Sequence, residues 1–133
     1  MKKKILVVDD ERLIADSMAM FLNRTGEFDV VASYDLHGAL FEGRKIKPDM
    51  VLLDVLRPRS NGVLDACRIR KELNCPVLLM SGAAFKTGEI QCPPEGTGGP
   101  FQILSKPILP MVLLEQIKKF VETGSIEMST SQA

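Results

Sequence analysis

The chain has 133 residues, 45% hydrophobic and 26% charged, with 17 basic and 17 acidic side chains and a formal net charge of zero. That size and composition suit one globular domain with a single hydrophobic core. The balanced charge gives no argument for direct binding to nucleic acid or an anionic membrane, and no apolar run is long enough to span a bilayer. The N-terminus lacks the pattern of a secretion signal, because carboxylates follow a short apolar run. Cys67, Cys75 and Cys92 are odd in number and lack metal-ligand spacing, which predicts reduced thiols and a cytoplasmic location.

The first predicted element is "KKILVVDD", continuously apolar and β-branched, as a strand buried on both faces should be. It ends on Asp9 and Asp10, with Glu11 next. A helix is predicted over "ERLIADSMAMFLNRTG", with Ile14, Met18, Phe21 and Leu22 inward and Gly26 as its stop. "FDVVAS" is a second strand and "DLHGALFEGRK" a short helix. "KPDMVLLD" repeats the opening pattern and ends on Asp54. The loop "VLRPRSNG" leads into a helix over "GVLDACRIRKEL". "CPVLLMS" is a fourth strand, ending on Ser81. "FQILSK" is a fifth, ending near Lys106. "LPMVLLEQIKKFV" is the last helix, with Val112, Ile117 and Phe120 or Val121 inward. Residues 123–133 are small and polar and read as a flexible tail after a domain spanning 1–122.

Strand and helix alternate, so the expected architecture is α/β: a doubly wound, five-stranded parallel sheet with helices on both faces. Such folds bind ligands beyond the carboxyl ends of the strands. That edge is where Asp9, Asp10, Asp54, Ser81 and Lys106 all fall. Three converging carboxylates repel one another unless a cation joins them, and oxygen ligands favour Mg²⁺ or Mn²⁺. A carboxylate is also a usable nucleophile toward phosphorus. In-line transfer then needs neutralised equatorial oxygens, which a metal, the Lys106 ammonium and the Ser81 hydroxyl would supply.

At this point the chain resembles the receiver domains of two-component response regulators. The resemblance covers roughly residues 3–122 and rests on "LVVDDE", on "PDMVLLDV" followed by Pro58 and Gly62, on "VLLMSG" and on "SKP". It implies a flavodoxin-like strand order of 2-1-3-4-5. It implies that Asp54 accepts a phosphoryl group from a histidine kinase or a histidine phosphotransfer protein. Asp10 would ligate Mg²⁺ directly, Asp9 mostly through water, and the backbone carbonyl of Leu56 would be the third protein ligand beside Asp54. Ser81 and Lys106 would contact the phosphoryl group, and a cis peptide is expected between Lys106 and Pro107. The protein would catalyse its own phosphorylation and dephosphorylation, with no metabolite turned over. Its output would run through contacts with an unnamed downstream protein, through phosphorelay transfer, or through an effector lost by truncation. Homodimerisation stays open.

The sequence departs from the family pattern in three places. Ile103 stands where an aromatic residue usually reports phosphorylation. Phe101 has the same facing at a different height. Between Ser81 and Phe101, the 19 residues "GAAFKTGEIQCPPEGTGGP" contain five glycines and three prolines, which oppose a helix interior. The fourth helix should therefore be short or degenerate, at best over "AAFKTGEI". Finally, Arg57 and Arg59 add charge after the acceptor, and Leu56 and Ala83 cannot orient a hydrolytic water, which predicts a long-lived phosphoryl group. The competing readings are a degenerate receiver serving as a non-phosphorylated interaction module and, ranked low, a small-molecule hydrolase of the same topology.

Overall fold

A computed structural model describes residues 2–55, 62–82, 88–94, 96 and 98–126. In chain order the elements are β1 (Lys3–Val8), α1 (Arg12–Arg24), β2 (Phe28–Ser33), α2 (Leu36–Ile46), β3 (Met50–Asp54), α3 (Gly62–Leu73), β4 (Val77–Ser81), β5 (Gly88–Ile90), β6 (Phe101–Ser105) and α4 (Pro110–Thr123). The sheet order is β2-β1-β3-β4-β6-β5. Every pairing is parallel except β5 with β6.

The continuously apolar strands divide by parity, because successive side chains point to opposite faces. Ile5 and Val7 of β1, Met50 and Leu52 of β3, Leu78 and Met80 of β4 and Leu104 of β6 join one core with Leu22 of α1 and Ile117 and Phe120 of α4. Leu6, Val8, Val51, Leu53, Leu79, Phe101 and Ile103 join the other with Ala39 and Leu40 of α2 and Ala66 and Ile69 of α3. A strand buried on both faces must be apolar at every position, and its polar residues are pushed to its ends.

Two expectations need correction. The sheet is six-stranded and mixed, not five-stranded and parallel. Gly88–Ile90, assigned at best to a short helix, runs antiparallel along β6, with Glu89 opposite Gln102. Gln102 Nε2 donates to Glu89 Oε2 at 3.0 Å, and the short strand covers an edge that would otherwise expose unpaired backbone groups. No described residue between Ser81 and Phe101 is helical; residues 83–87 lie outside the described set. The helix faces also differ slightly from the pattern. Ala15 and Ala19 turn to the sheet with Leu22, and Leu113 and Leu114 turn in with Ile117 and Phe120, whereas Ile14 and Val112 remain exposed.

Gly26 adopts a positive φ of 80° just past α1, as expected for its stop. Ile126, just past α4, is buried in the α1/α4 core, and its N–H donates to Gln102 Oε1 at 3.3 Å. Among the described residues no helix is long and apolar enough to cross a membrane.

Candidate functional site

β1, β3 and β4 lie side by side, with Val8 level with Leu53 and Asp54 level with Met80. Their carboxyl ends therefore open onto one spot. Asp9 follows β1, Asp54 ends β3 and Ser81 ends β4. One carboxylate oxygen from each of Asp9, Asp10 and Asp54 lies within 4.8 Å of the others. Asp9 and Asp54 are buried and Asp10 is exposed.

Asp9 is fixed from two sides. Its Oδ1 accepts from the Glu11 N–H at 3.0 Å, and its Oδ2 lies 3.4 Å from Lys106 Nζ. Its own N–H donates to the Ser33 carbonyl at 3.2 Å, so β2 also anchors it. Glu11 stands at the N-cap of α1 and makes no side-chain cap bond; its side chain is not part of the carboxylate group. An acidic residue there suits the positive end of the helix.

Lys106 bridges the cluster. Its ammonium is 3.4 Å from Asp9 Oδ2 and 3.5 Å from Asp54 Oδ1. The backbone holds it there: the Lys106 N–H donates to the Ser81 carbonyl at 2.7 Å, and the Lys106–Pro107 peptide is cis, as expected. Three carboxylates against one ammonium leave two formal negative charges, which one divalent cation would balance. This donor set is all oxygen, mixing buried and exposed carboxylates, and fits a hard cation that keeps part of its water shell.

Ser81 is fully buried, and its Oγ has no hydrogen-bond partner among the described residues. A buried hydroxyl without a partner costs stability, and this one lies at the carboxyl edge of the sheet. Asp9, Asp10, Asp54, Ser81 and Lys106 thus come to one edge. Leu56 lies outside the described residues, as do Arg57, Arg59 and Ala83. Ile103 is buried in the α2/α3 core beside Phe101, where it fills space and presents no polar atom.

Sequence reasoning missed two features. The first is a cavity of about 610 Å³ on the α1/α4 side, whose lining includes Ile14, Met18, Phe21, Met80, Pro107 and Lys106. Its signal was present in the apolar stripe of α1, which carries more large side chains than the sheet covers. The second is a contact between Cys67 and Cys92, whose sulfurs lie 3.1 Å apart; nothing in their spacing announces it.

The family model described as the response regulator receiver domain matches residues 5–118. Over 119 residues the chain is 31% identical to the DNA-binding response regulator MtrA of Mycolicibacterium paratuberculosis, covering 89% of this chain and 51% of that protein. The match to the protein of the same name in Mycobacterium leprae has the same identity and coverage. The chain spans about half the length of the curated relatives it matches. In fold it is similar to a CheY-like response regulator receiver domain protein from Methanospirillum hungatei, with a TM-score of 0.70 at 23% identity, covering 92% of this chain and 95% of that one. It is also similar to the chemotaxis protein CheY4 of Vibrio cholerae, with a TM-score of 0.69 at 23% identity, covering 90% and 98%.

Proposed function

Because this chain belongs to the response regulator receiver-domain family, we propose that Asp54 is its phosphoacceptor and that the phosphoryl donor is a histidine kinase or a histidine phosphotransfer protein. The observation that carries this reading is the convergence of Asp54 with Asp9, Asp10 and the Lys106 ammonium at the carboxyl edge of the sheet. In the transfer an Asp54 carboxylate oxygen forms the new O–P bond as the donor's N–P bond breaks. Lys106 is within reach of the acceptor carboxylate and offsets charge that would otherwise repel an incoming phosphate. The Ser81 Oγ supplies an unused donor in the same place.

Asp9, Asp10, Asp54 and the Leu56 carbonyl would hold Mg²⁺, with Mn²⁺ as a substitute, and the bound ion would neutralise phosphoryl oxygens during transfer. The exposed Asp10 suits direct ligation; Asp9, already tied to Glu11 and Lys106, suits a contact through water. The reading puts the protein in the cytoplasm. The donor would approach over the apolar cavity, because Lys106 forms part of its wall. An amphipathic helix presenting its phosphohistidine at the rim would bury the exposed Leu13, Ile14 and Leu109.

A new aspartyl phosphate adds charge and three acceptor oxygens at one point. Drawing Ser81 and Lys106 toward it shifts a two-state equilibrium that a downstream protein reads. A second reading, a receiver used as a non-phosphorylated interaction module, draws on Ile103 and on the strand β5 in the segment where the fourth helix was expected to be short or degenerate. Incubation with Mg²⁺ and acetyl phosphate or phosphoramidate, followed by intact mass, separates the two. A gain of one phosphoryl group that Asp54→Asn abolishes supports the first; no gain with either donor supports the second.

A further inference from the structure

Away from the carboxylate edge, α3 and the segment after β5 meet through sulfur. Cys67 is buried on the sheet-facing side of α3, and Cys92 is half-buried in the connection leading to β6. Their Sγ atoms are 3.1 Å apart across 25 residues of chain. The backbone at Gly96 passes directly over both sulfurs, so closely that a Cβ there would collide with each. Gly98 lies equally close to the Arg70 guanidinium, which stacks on the Phe101 ring at 3.9 Å. The connection that stands in place of a helix is thus seated on α3 at two points, Cys67 and Arg70. Cys75 is apart from this group. It is buried, and desolvation first, then the nearby Asp49 carboxylate, pushes its thiol up to about 11.

We propose that Cys67 and Cys92 are a thiol–disulfide exchange site, which a low-molecular-weight disulfide such as oxidised glutathione closes into a clasp between α3 and the β5–β6 connection. Cys92, the more accessible sulfur, gives its proton to solvent and attacks one sulfur of the small disulfide. That S–S bond breaks, one small thiolate leaves, and a mixed disulfide stands on Cys92. Cys67 then loses its proton and attacks the Cys92 sulfur, and the second small thiolate leaves. The protein loses two electrons and two protons, and the small disulfide becomes two thiols. About 1 Å of approach converts the present contact into a bond. In a reducing compartment the pair rests as two thiols and closes under oxidative load. The thiol pair does not depend on phosphoryl transfer, since neither cysteine belongs to the carboxylate and ammonium group that carries that reading.

The test uses the full chain in buffers of fixed reduced-to-oxidised glutathione ratio. Remaining thiols are alkylated, and the protein is digested without reductant. The expected product is a Cys67–Cys92 cross-linked peptide with Cys75 alkylated. The thermal midpoint should rise on the order of 10 °C, because the cross-link constrains the unfolded chain, and a dithiol reductant should reverse it. Cys75→Ser should behave like wild type, whereas Cys92→Ser should show neither cross-link nor shift. A product that stops at the mixed disulfide on Cys92 would overturn the proposal. So would a cross-link through Cys75 or between chains, three alkylated cysteines at the most oxidising ratio, or an unchanged midpoint in the cross-linked protein.

Discussion

Asp10→Asn separates the two effects that the carboxylate edge should have. The three carboxylate oxygens lie within 4.8 Å of one another. At that separation, two unit charges repel by roughly 1 kcal/mol at the dielectric of water and about 3.5 kcal/mol at an effective dielectric near 20. Asp10 is exposed, so the lower figure applies, and neutralising it relieves two such repulsions. The ammonium of Lys106 takes back part of this, leaving about 1 kcal/mol of net relief. Without divalent metal the variant should therefore be more stable than wild type, with a midpoint higher by about 4 °C. With metal the order should reverse. At about 100 times its dissociation constant a ligand adds about 2.7 kcal/mol to the native state, and the variant should lose most of that gain. Thermal unfolding by circular dichroism, in chelator and across a Mg²⁺ series, reads both effects. Added monovalent salt should shrink the metal-free difference. A variant less stable than wild type in chelator would mean that the three carboxylates do not repel, and one that gains as much from Mg²⁺ would mean that Asp10 does not hold the ion.

Other substitutions probe the residues around this edge and the thiol at Cys75. Ser81→Ala removes a buried hydroxyl that has no partner among the described residues. Its unfolding free energy from urea denaturation should be unchanged or higher, by up to about 1 kcal/mol, while phosphorylation from acetyl phosphate slows; a clear loss of stability would mean that the hydroxyl already has a structural role. Gly62→Ala puts a Cβ 2.6 Å from the Val55 Cα, against backbone that cannot swing aside. It should cost about 1–3 kcal/mol in urea denaturation, and a neutral result would mean that β3 and α3 separate more easily than their packing implies. Cys75 predicts an alkaline effect. Its thiol ionises near 9.0 in the unfolded chain and near 11 when folded. Between those values the unfolded state binds fewer protons, so stability falls as pH rises through the window. Cys75→Ala should flatten that fall relative to wild type, and parallel curves would contradict it.

The parallel strands were legible because burial on both faces leaves no room for polar residues except at the ends. "ILVVDD", "MVLLD" and "LLMS" therefore announced both the sheet and the side chains of its carboxyl edge. The helix faces were less legible. The periodicity of α1 admits Ile14 as readily as Ala15, but close packing on the sheet favours the alanine and leaves Ile14 at the cavity rim. Val112 and Leu113 show the same one-residue ambiguity at the start of α4. β5 was invisible because three residues beginning with glycine carry no periodicity, and their pairing with β6 is decided by an open sheet edge rather than by their own preference. The Cys67–Cys92 contact depends on how the Gly-rich connection folds back onto α3, which local sequence does not encode.

Phosphorylation of Asp54 would form a covalent O–P bond at one carboxylate, which borohydride trapping locates. An acyl phosphate is reduced to an alcohol, converting the acceptor aspartate to homoserine at a position that peptide mass spectrometry can read. After treatment with Mg²⁺ and acetyl phosphate or phosphoramidate, homoserine should appear at residue 54, at neither Asp9 nor Asp10, and nowhere when chelator replaces Mg²⁺. Homoserine at either of those two positions, or an unmodified Asp54 after exposure to both donors, would contradict it.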